Sequence, residues 1–338
     1  MSETPKVSII LPFENSSETI NECITSILRQ NLIHWELIAI DDHSTDSSFS
    51  MIVAFCKVGK RITILKNPGD GIVDSLNFGI KKANTLLIAR MDADDVMHPK
   101  RLLLQVERLE KKKELGLISC LVNHVAIGDH DTRGYRKYVY WINQICSPHE
   151  ISLNRFIESP IAHPSVVFRR ELVSKCGEYK KDGFPEDYEL WLRLLDKGVE
   201  MEKVKEYLID WRDSKKRVSR TGSNYKLDAF QNLKSIYLKK WIEKNVPSNK
   251  SIQVWGAGKF AKQQIKYLKR IGISIDCIYD IDSKKIVNRE KILHINQIPN
   301  PDQNFILCLI GKNGARGKIA EFLSKKGYII EKDFIFAA

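Results

Sequence analysis

Val7-Ser8-Ile9-Ile10-Leu11 is an apolar, β-branched run halted by Pro12, and Ser17 to Gln30 follows with apolar residues at Ile20, Cys23, Ile24, Ile27 and Leu28. A short β-branched apolar run giving way to a one-faced 3.6 period predicts a strand and then an amphipathic helix. The alternation repeats: strands at Trp35 to Ile40, Ile62 to Leu65 and Leu86 to Met91, and helices at Ser47 to Val58, Gly71 to Ala83 and Arg101 to Lys113. Repeated βα units predict an α/β fold, a mostly parallel central sheet with helices on both faces. Between Leu117 and Gly177 the pattern weakens to short strand-like runs at Ser119 to Ala126 and Ser165 to Phe168. A patterned helix over Tyr188 to Lys197, a strand near Tyr207 to Trp211 and a long basic helix from Asn224 to Asn245 come next, closed by Val246-Pro247-Ser248. Beyond it, a strand at Ser251 to Trp255, a Gly-Ala-Gly turn, a helix to Arg270, strands at Ser274 to Tyr279 and Phe305 to Ile310, a helix through Leu323 and a last strand at Tyr328 to Ile330 form a second, smaller α/β unit.

In such sheets ligands bind beyond the carboxyl ends of the strands. Those ends carry Pro12 to Asn15, Asp41-Asp42 and Asp92-Ala93-Asp94-Asp95. Three carboxylates in four positions repel one another unless a hard cation with oxygen ligands neutralises them, and an ion so placed typically holds a diphosphate. The plainer alternative is a polar loop capping the next helix, since acids at helix starts are ordinary.

Charge narrows the partners without choosing one. A formal net charge of +12 implies attraction to nucleotides, nucleic acid or an anionic membrane surface. Neither a zinc-finger spacing nor an aromatic-studded RNA-binding signature is present, which disfavours nucleic acid. No apolar run approaches the roughly 20 residues that cross a bilayer, and the polar start Met1 to Lys6 is no secretory leader. The expected location is the cytoplasm, with peripheral association at the inner membrane face. Seven scattered cysteines without a CxxC pair suit reduced thiols.

An ordered series of motifs then singles out a family. It comprises Val7 to Pro12 with Asn15; Ser26-Ile27-Leu28 with Gln30; Asp41-Asp42-His43-Ser44-Thr45-Asp46; Asn77 with Gly79; Met91 to Asp95; Arg101-Leu102; His163 to Arg170; and Glu186 to Leu194. Residues 7–222 resemble the family 2 glycosyltransferases of GT-A fold, which transfer a sugar from a nucleotide-diphosphate donor, usually with inversion. The resemblance implies Mn2+ or Mg2+ on Asp94, with Asp92 on the ribose or the ion and Asp95 as a neighbour. An all-oxygen donor set without a His/Cys cluster argues against zinc. Pro12, Phe13, Glu14, Asp41 and Asp42 are expected to form the donor nucleotide pocket. Family members commonly carry Tyr where this chain has Glu14, so Phe13 is the candidate stacking face, and a UDP-sugar is the expected donor.

Asp187 is the candidate catalytic base, on the acceptor side; two acids in a first helical turn also oppose the helix dipole, so a structural role competes. His163 and Arg212 are candidates for the diphosphate or acceptor side, the latter opening a basic stretch, Lys215 to Arg220, that also reads as a solvated face. The expected domains are a transferase at 1–222, a helical linker at 223–248 that could mediate homo-oligomer formation, and a Rossmann-like unit at 249–338. In that last unit Gly256 and Gly258, with Asp280 closing the next strand, have the layout of a second nucleotide site. The expected activity is sugar transfer to a glycan or glycolipid hydroxyl in cell-surface polysaccharide synthesis. The alternatives are a nucleotidyltransferase, which typically needs a Gly-rich phosphate loop near the chain start that Pro12 to Glu18 does not supply, and a nucleotide-binding scaffold built on the C-terminal turn.

Overall fold

The structure is a computed structural model describing residues 4–338 apart from Gly59, Lys60, Lys216, Val218, Ser219, Thr221, Ser283, Lys285, Asn288, Arg289 and Asn313. The chain divides into two compact units, Met1–Ile151 with Pro160–Ser223, and Ser152–Ser159 with Asn224–Ala338.

The first unit opens with β1 (Val7–Phe13), α1 (Ile20–Leu28), β2 (Trp35–Asp41), α2 (Ser48–Val58), β3 (Ile62–Lys66), α3 (Ile72–Lys82) and β4 (Leu87–Arg90). It continues through β5 (Val96–Met97), α4 (Arg101–Lys111), β6 (Leu115–Ala126), α5 (Arg133–Asn143) and α6 (Pro148–Asn154), then β7 (Val167–Arg169), α7 (Glu171–Cys176), α8 (Glu186–Asp196) and β8 (Glu200–Asp213). The sheet order is β3-β2-β1-β4-β7-β6-β8-β5. β3, β2, β1 and β4 run parallel, whereas β7 is antiparallel to both β4 and β6, and β5 to β8, so the sheet is mixed.

Strand alternation sorts β1 between two cores. Val7, Ile9, Leu11 and Phe13 join the cluster that packs α1, α4 and α5, while Ile10 joins the one that packs α3 and α8. Because β1, β2 and β4 are parallel and in register, Phe13, Asp41 and Arg90 end at one margin of the sheet. That geometry brings residues far apart in sequence to a single crevice.

Several family-motif residues hold this frame. Asn77 Nδ2 donates to the Tyr179 carbonyl (2.9 Å) and Asn77 Oδ1 accepts from the Tyr179 N–H (3.0 Å), tying α3 to the segment ahead of α8. Gln30 donates to the His98 carbonyl (2.8 Å) and accepts from the Leu102 N–H (3.0 Å). Arg101, wholly buried, donates through Nη2 to the Arg90 carbonyl (2.8 Å), and burial lowers its pKa to about 10.

The second unit contains α9 (Leu227–Asn245), β9 (Ser251–Trp255), α10 (Lys259–Arg270), β10 (Cys277–Asp280), a small hairpin of β11 (Ile286–Val287) and β12 (Glu290–Lys291), β13 (Leu293–His294), β14 (Asn304–Cys308), α11 (Ala315–Lys325) and β15 (Phe334–Phe336). Its parallel sheet runs β13-β10-β9-β14-β15, the 3-2-1-4-5 order of a Rossmann-like fold. The last strand is Phe334–Phe336 and not Tyr328 to Ile330. Asp333 caps the intervening turn by accepting from the Ile329 N–H (2.9 Å), and Ile335 rather than Ile329 pairs with Leu307. The long helix α9 lies within this unit and packs on α10, where Gln264 Nε2 donates to Ser235 Oγ (2.8 Å).

Candidate active site

β4 ends at Arg90, where Met91 N–H still bonds to the Ile10 carbonyl (3.1 Å); a turn closed by Asp95 N–H on the Asp92 carbonyl (3.3 Å) follows. Asp92, Asp94 and Asp95 each bring one carboxylate oxygen within 4.8 Å of the others. Asp95 is fully buried: its Oδ1 accepts from the Arg212 N–H (2.8 Å), and its Oδ2 has no hydrogen-bond partner. Burial first, and then the neighbouring acids, push the pKa of both Asp94 and Asp95 upward. An orphaned buried oxygen beside two further carboxylates fits a hard divalent ion, which would relieve both the desolvation and the repulsion. Asp92, Asp94 and Asp95 are the residues able to hold it.

On one side lies an acid-rich pocket. Asp41 Oδ1 accepts from the Ser44 N–H (3.1 Å); Asp42 Oδ1 accepts from Asn67 Nδ2 (2.7 Å) and the Gly71 N–H (3.1 Å). Asn15, at φ +44°, accepts through Oδ1 from the Thr45 N–H (2.9 Å), joining the β1 loop to the β2 loop. Glu14 is exposed, and its pKa is raised by partial burial and then by the charges of Asp42 and Asp70. Pro12 and Phe13 are buried, and the Phe13 ring packs in the core with Ile20 and Leu11. The β1 alternation thus turns the expected stacking face inward, while Glu14, just beyond it, is exposed and within reach of the Asp42 charge.

On the other side stand Glu186 and Asp187 in the first turn of α8. Asp187 Oδ1 accepts from the Tyr188 N–H (2.7 Å), and burial, then the charge of Glu186, lifts Asp187 to about 7. His163 is buried, with Nε2 3.0 Å from the Tyr179 hydroxyl and Nδ1 3.6 Å from Glu186 Oε1. Burial and then the Arg90 charge press its pKa well down, so the ring is neutral at neutral pH.

Two cations that motif reading passed over organise the centre. Arg90, buried at the end of β4, pairs with Asp92, and its charge also acts on Tyr179 and Glu186, linking the two halves of the crevice. The sequence signal was a cation directly ahead of three acids. Arg217 sits with its guanidinium 4.4 Å from the Trp211 ring centroid and 5.1 Å from that of Tyr135, its charge set against Asp95, Asp94 and Asp92. Arg212 contributes its backbone N–H to Asp95 while its side chain pairs with Glu22 on α1.

In the second unit, Gly256 adopts φ +136°, and a Cβ there would stand 2.7 Å from the Leu309 carbonyl oxygen, so only glycine fits between β9 and the end of β14. Gly258 caps α10. The Asp280 carboxylate accepts from the Ala257 N–H (2.8 Å) and the Asp282 N–H (3.0 Å), bracing the glycine turn.

The model of the family described as "Glycosyl transferase family 2" matches residues 8–177. The chain belongs to glycosyl transferase family 2. Among curated family relatives, the Escherichia coli UDP-Gal:alpha-D-GlcNAc-diphosphoundecaprenol beta-1,3-galactosyltransferase is 28% identical over 226 residues, spanning 65% of this chain and 78% of the relative. Two solved structures share the fold. Staphylococcus aureus TarS 1-349 in complex with UDP has a TM-score of 0.51 at 14% identity, over 69% of this chain and 65% of that one. The Pyrobaculum calidifontis mannosyltransferase PcManGT in complex with GDP-Man and Mn2+ has a TM-score of 0.51 at 17% identity, over 71% and 64%. The protein is accordingly a glycosyltransferase of GT-A fold with a second α/β unit. Among the described residues no helix is long and apolar enough to cross a membrane.

Proposed function

We propose that this family 2 glycosyltransferase moves a hexosyl or N-acetylhexosaminyl group from a UDP-sugar to a hydroxyl of a lipid-diphosphate-linked glycan, with inversion and with Mn2+ or Mg2+. The observation that carries the reading is the Asp92, Asp94, Asp95 cluster with its orphaned Oδ2, standing across Arg90 from Asp187. The lipid-linked acceptor is supported by the E. coli relative's named substrate, and the ion by the Mn2+ in the PcManGT structure. A bound ion supplies Lewis-acid stabilisation of the departing diphosphate.

The chain's own residues do the rest. Asp94 and Asp95, with Asp92, hold the ion, while Arg90 fixes the orientation of Asp92. Asp42 and Glu14 line the base side, where a carboxylate can accept from a uracil ring N–H. Arg217 offsets the negative charge of the diphosphate as the bond to the anomeric carbon breaks. Asp187 takes the acceptor hydroxyl's proton as that oxygen attacks from the opposite face. His163, neutral and bonded to Tyr179, keeps the acceptor side free of a second cation. The net charge of +12 suits a peripheral position on an anionic membrane, where a lipid-linked acceptor resides.

The test is UDP release and glycan transfer from a panel of nucleotide sugars after chelation, with Mn2+ or Mg2+ restored. Transfer should return with the ion and invert the anomeric centre by NMR. Asp187→Asn should keep UDP binding yet lose at least on the order of 10²-fold in kcat. Undiminished turnover by Asp187→Asn, or transfer indifferent to chelation, would sink the assignment.

A further inference from the structure

Asp213, the last residue of β8, is wholly buried and lies outside the crevice, yet it gathers an unusual set of donors. Arg220 Nε reaches its Oδ1 (2.7 Å) and Arg220 Nη2 its Oδ2 (2.6 Å), the paired geometry of a guanidinium on a carboxylate. His124 on β6 stands 3.2 Å from Oδ2, and His130, in the loop after β6, stands 3.4 Å from it. Burial alone would raise this carboxyl; the Arg220 and His124 bonds and the charges of Arg220 and Arg217 instead hold it down at about 2. Its main chain is pinned as well, since the Ile127 N–H donates to the Asp213 carbonyl (2.9 Å).

The consequence falls on Arg217, which lies between the two partners of this pair. Asp213, four residues before Arg217, is fixed to the sheet, and Arg220, three residues after it, bonds back to Asp213. Arg217 Nη1 donates to the Arg212 carbonyl (3.1 Å), and its guanidinium packs against both the Trp211 and Tyr135 rings, which also touch each other. Tyr135 also lies beneath Arg220, 5.7 Å from ring centroid to guanidinium. The same segment delivers the Arg212 N–H to Asp95. Anchors on both sides of it narrow the positions that Arg217 samples, and its charge is set against Asp95, Asp94 and Asp92.

We propose that Asp213 is a positioning residue for sugar transfer: bonded by Arg220 and His124, it anchors the chain on both sides of Arg217 and so holds that guanidinium beside the Asp92, Asp94, Asp95 cluster, where a nucleoside diphosphate is bound. Asp213 touches no substrate and acts through Arg217. The inference rests on the transferase reading for its effect on turnover, but the clamp itself is a property of the Asp213–Arg220 pair.

Asp213→Asn turns an amide N–H₂ toward Arg220 and opens the clamp; Arg220→Met opens it from the side that is partly exposed, and so remains informative if the buried substitution fails to fold. Each should lower kcat on the order of 10- to 100-fold, the effect of a misplaced charge, and weaken calorimetric binding of UDP with Mn2+. Combined with Arg217→Gln, Arg220→Met should add no further loss, because both act on one group. Arg220→Lys should recover part of the activity. Trypsin cleavage after Lys215 and Arg217, followed by mass spectrometry, reads the loop without substrate and should be faster in both clamp variants. Cleavage no faster than in the unaltered chain overturns the clamp whatever the enzyme transfers. Additive losses with Arg217→Gln overturn the route through Arg217, whereas an unaltered chain that releases no UDP with any ion overturns the transferase reading alone.

Discussion

Glu186 and Asp187 share the first turn of α8, and the interior there tolerates one negative charge more easily than two. Asp187 is lifted to about 7 by burial and by its neighbour, which suits a base that must accept a proton near neutral pH. The sign follows directly: transfer needs the deprotonated carboxylate, present above about 7, so kcat/KM should fall roughly tenfold per pH unit below that value. Glu186→Gln removes the neighbouring charge and should move this acid limb to lower pH. A pH–rate profile flat from about pH 5 to about pH 8, with a donor at fixed ion concentration, would refute the role. The sequence offered Asp187 as a candidate because two acids open a patterned helix. Arg90 and Arg217 were legible only as charges. Which carboxylates a buried arginine reaches depends on chain crossings that no local spacing encodes: Arg90 meets Glu186 from another strand end, and the parity of β8 turns the Arg212 side chain to Glu22 while Trp211 and Asp213 point inward.

Elements show the same division between pattern and register. The βα units of the first half were readable because each strand is mostly apolar and the helices between them carry apolar residues at helical spacing. β8 begins at Glu200, earlier than periodicity suggests, because its first residues are charged and pair with β6 through bulges. Helix α5 went unread although Tyr135, Tyr138, Val139 and Ile142 follow a helical spacing; interleaved Arg and Lys mask it. Gly79 illustrates a motif residue whose purpose is packing. On α3 it faces β1 and β2, and a Cβ would stand 2.6 Å from Ile40 Cδ1 and 2.7 Å from Ile10 Cγ2. Gly79→Ala improves helix propensity by about 1 kcal/mol yet overpacks a buried interface, for which the usual cost is about 1–3 kcal/mol. The net expectation is destabilisation of up to roughly 2 kcal/mol, or a few degrees of thermal midpoint. Calorimetry decides it: an unchanged or raised midpoint would mean that the two isoleucines give way freely.

At the scale of the molecule, the chain enters the second unit twice. It crosses at Ser152, returns at Pro160 and leaves again after Ser223, so Ser152–Ser159 belongs to a unit whose remaining residues begin at Asn224. A single-sequence reading places boundaries where composition shifts, and an eight-residue excursion has no compositional mark. Within the second unit Phe156 is 2% exposed, its ring 6.3 Å from that of Trp241; Arg155 lies 5.1 Å over Phe156 and 5.5 Å over Trp241, and Lys234 Nζ donates to the Ile157 carbonyl (3.4 Å). A chain ended after Ser223 therefore keeps Phe156 and Arg155 but loses Trp241, Lys234 and Glu331, which pack or pair with this segment. It should aggregate or melt below the full chain, although it retains each residue assigned to transfer. Phe156→Ser then has opposite signs in the two contexts. In the full chain it removes a buried ring at a cost of about 3–5 kcal/mol, whereas in the shortened chain it removes exposed apolar surface and should restore monomeric behaviour. Size exclusion and calorimetry on the four proteins test this directly. A shortened chain that is monomeric without the substitution, and is destabilised by it, would show that residues 152–159 find their packing in the first unit.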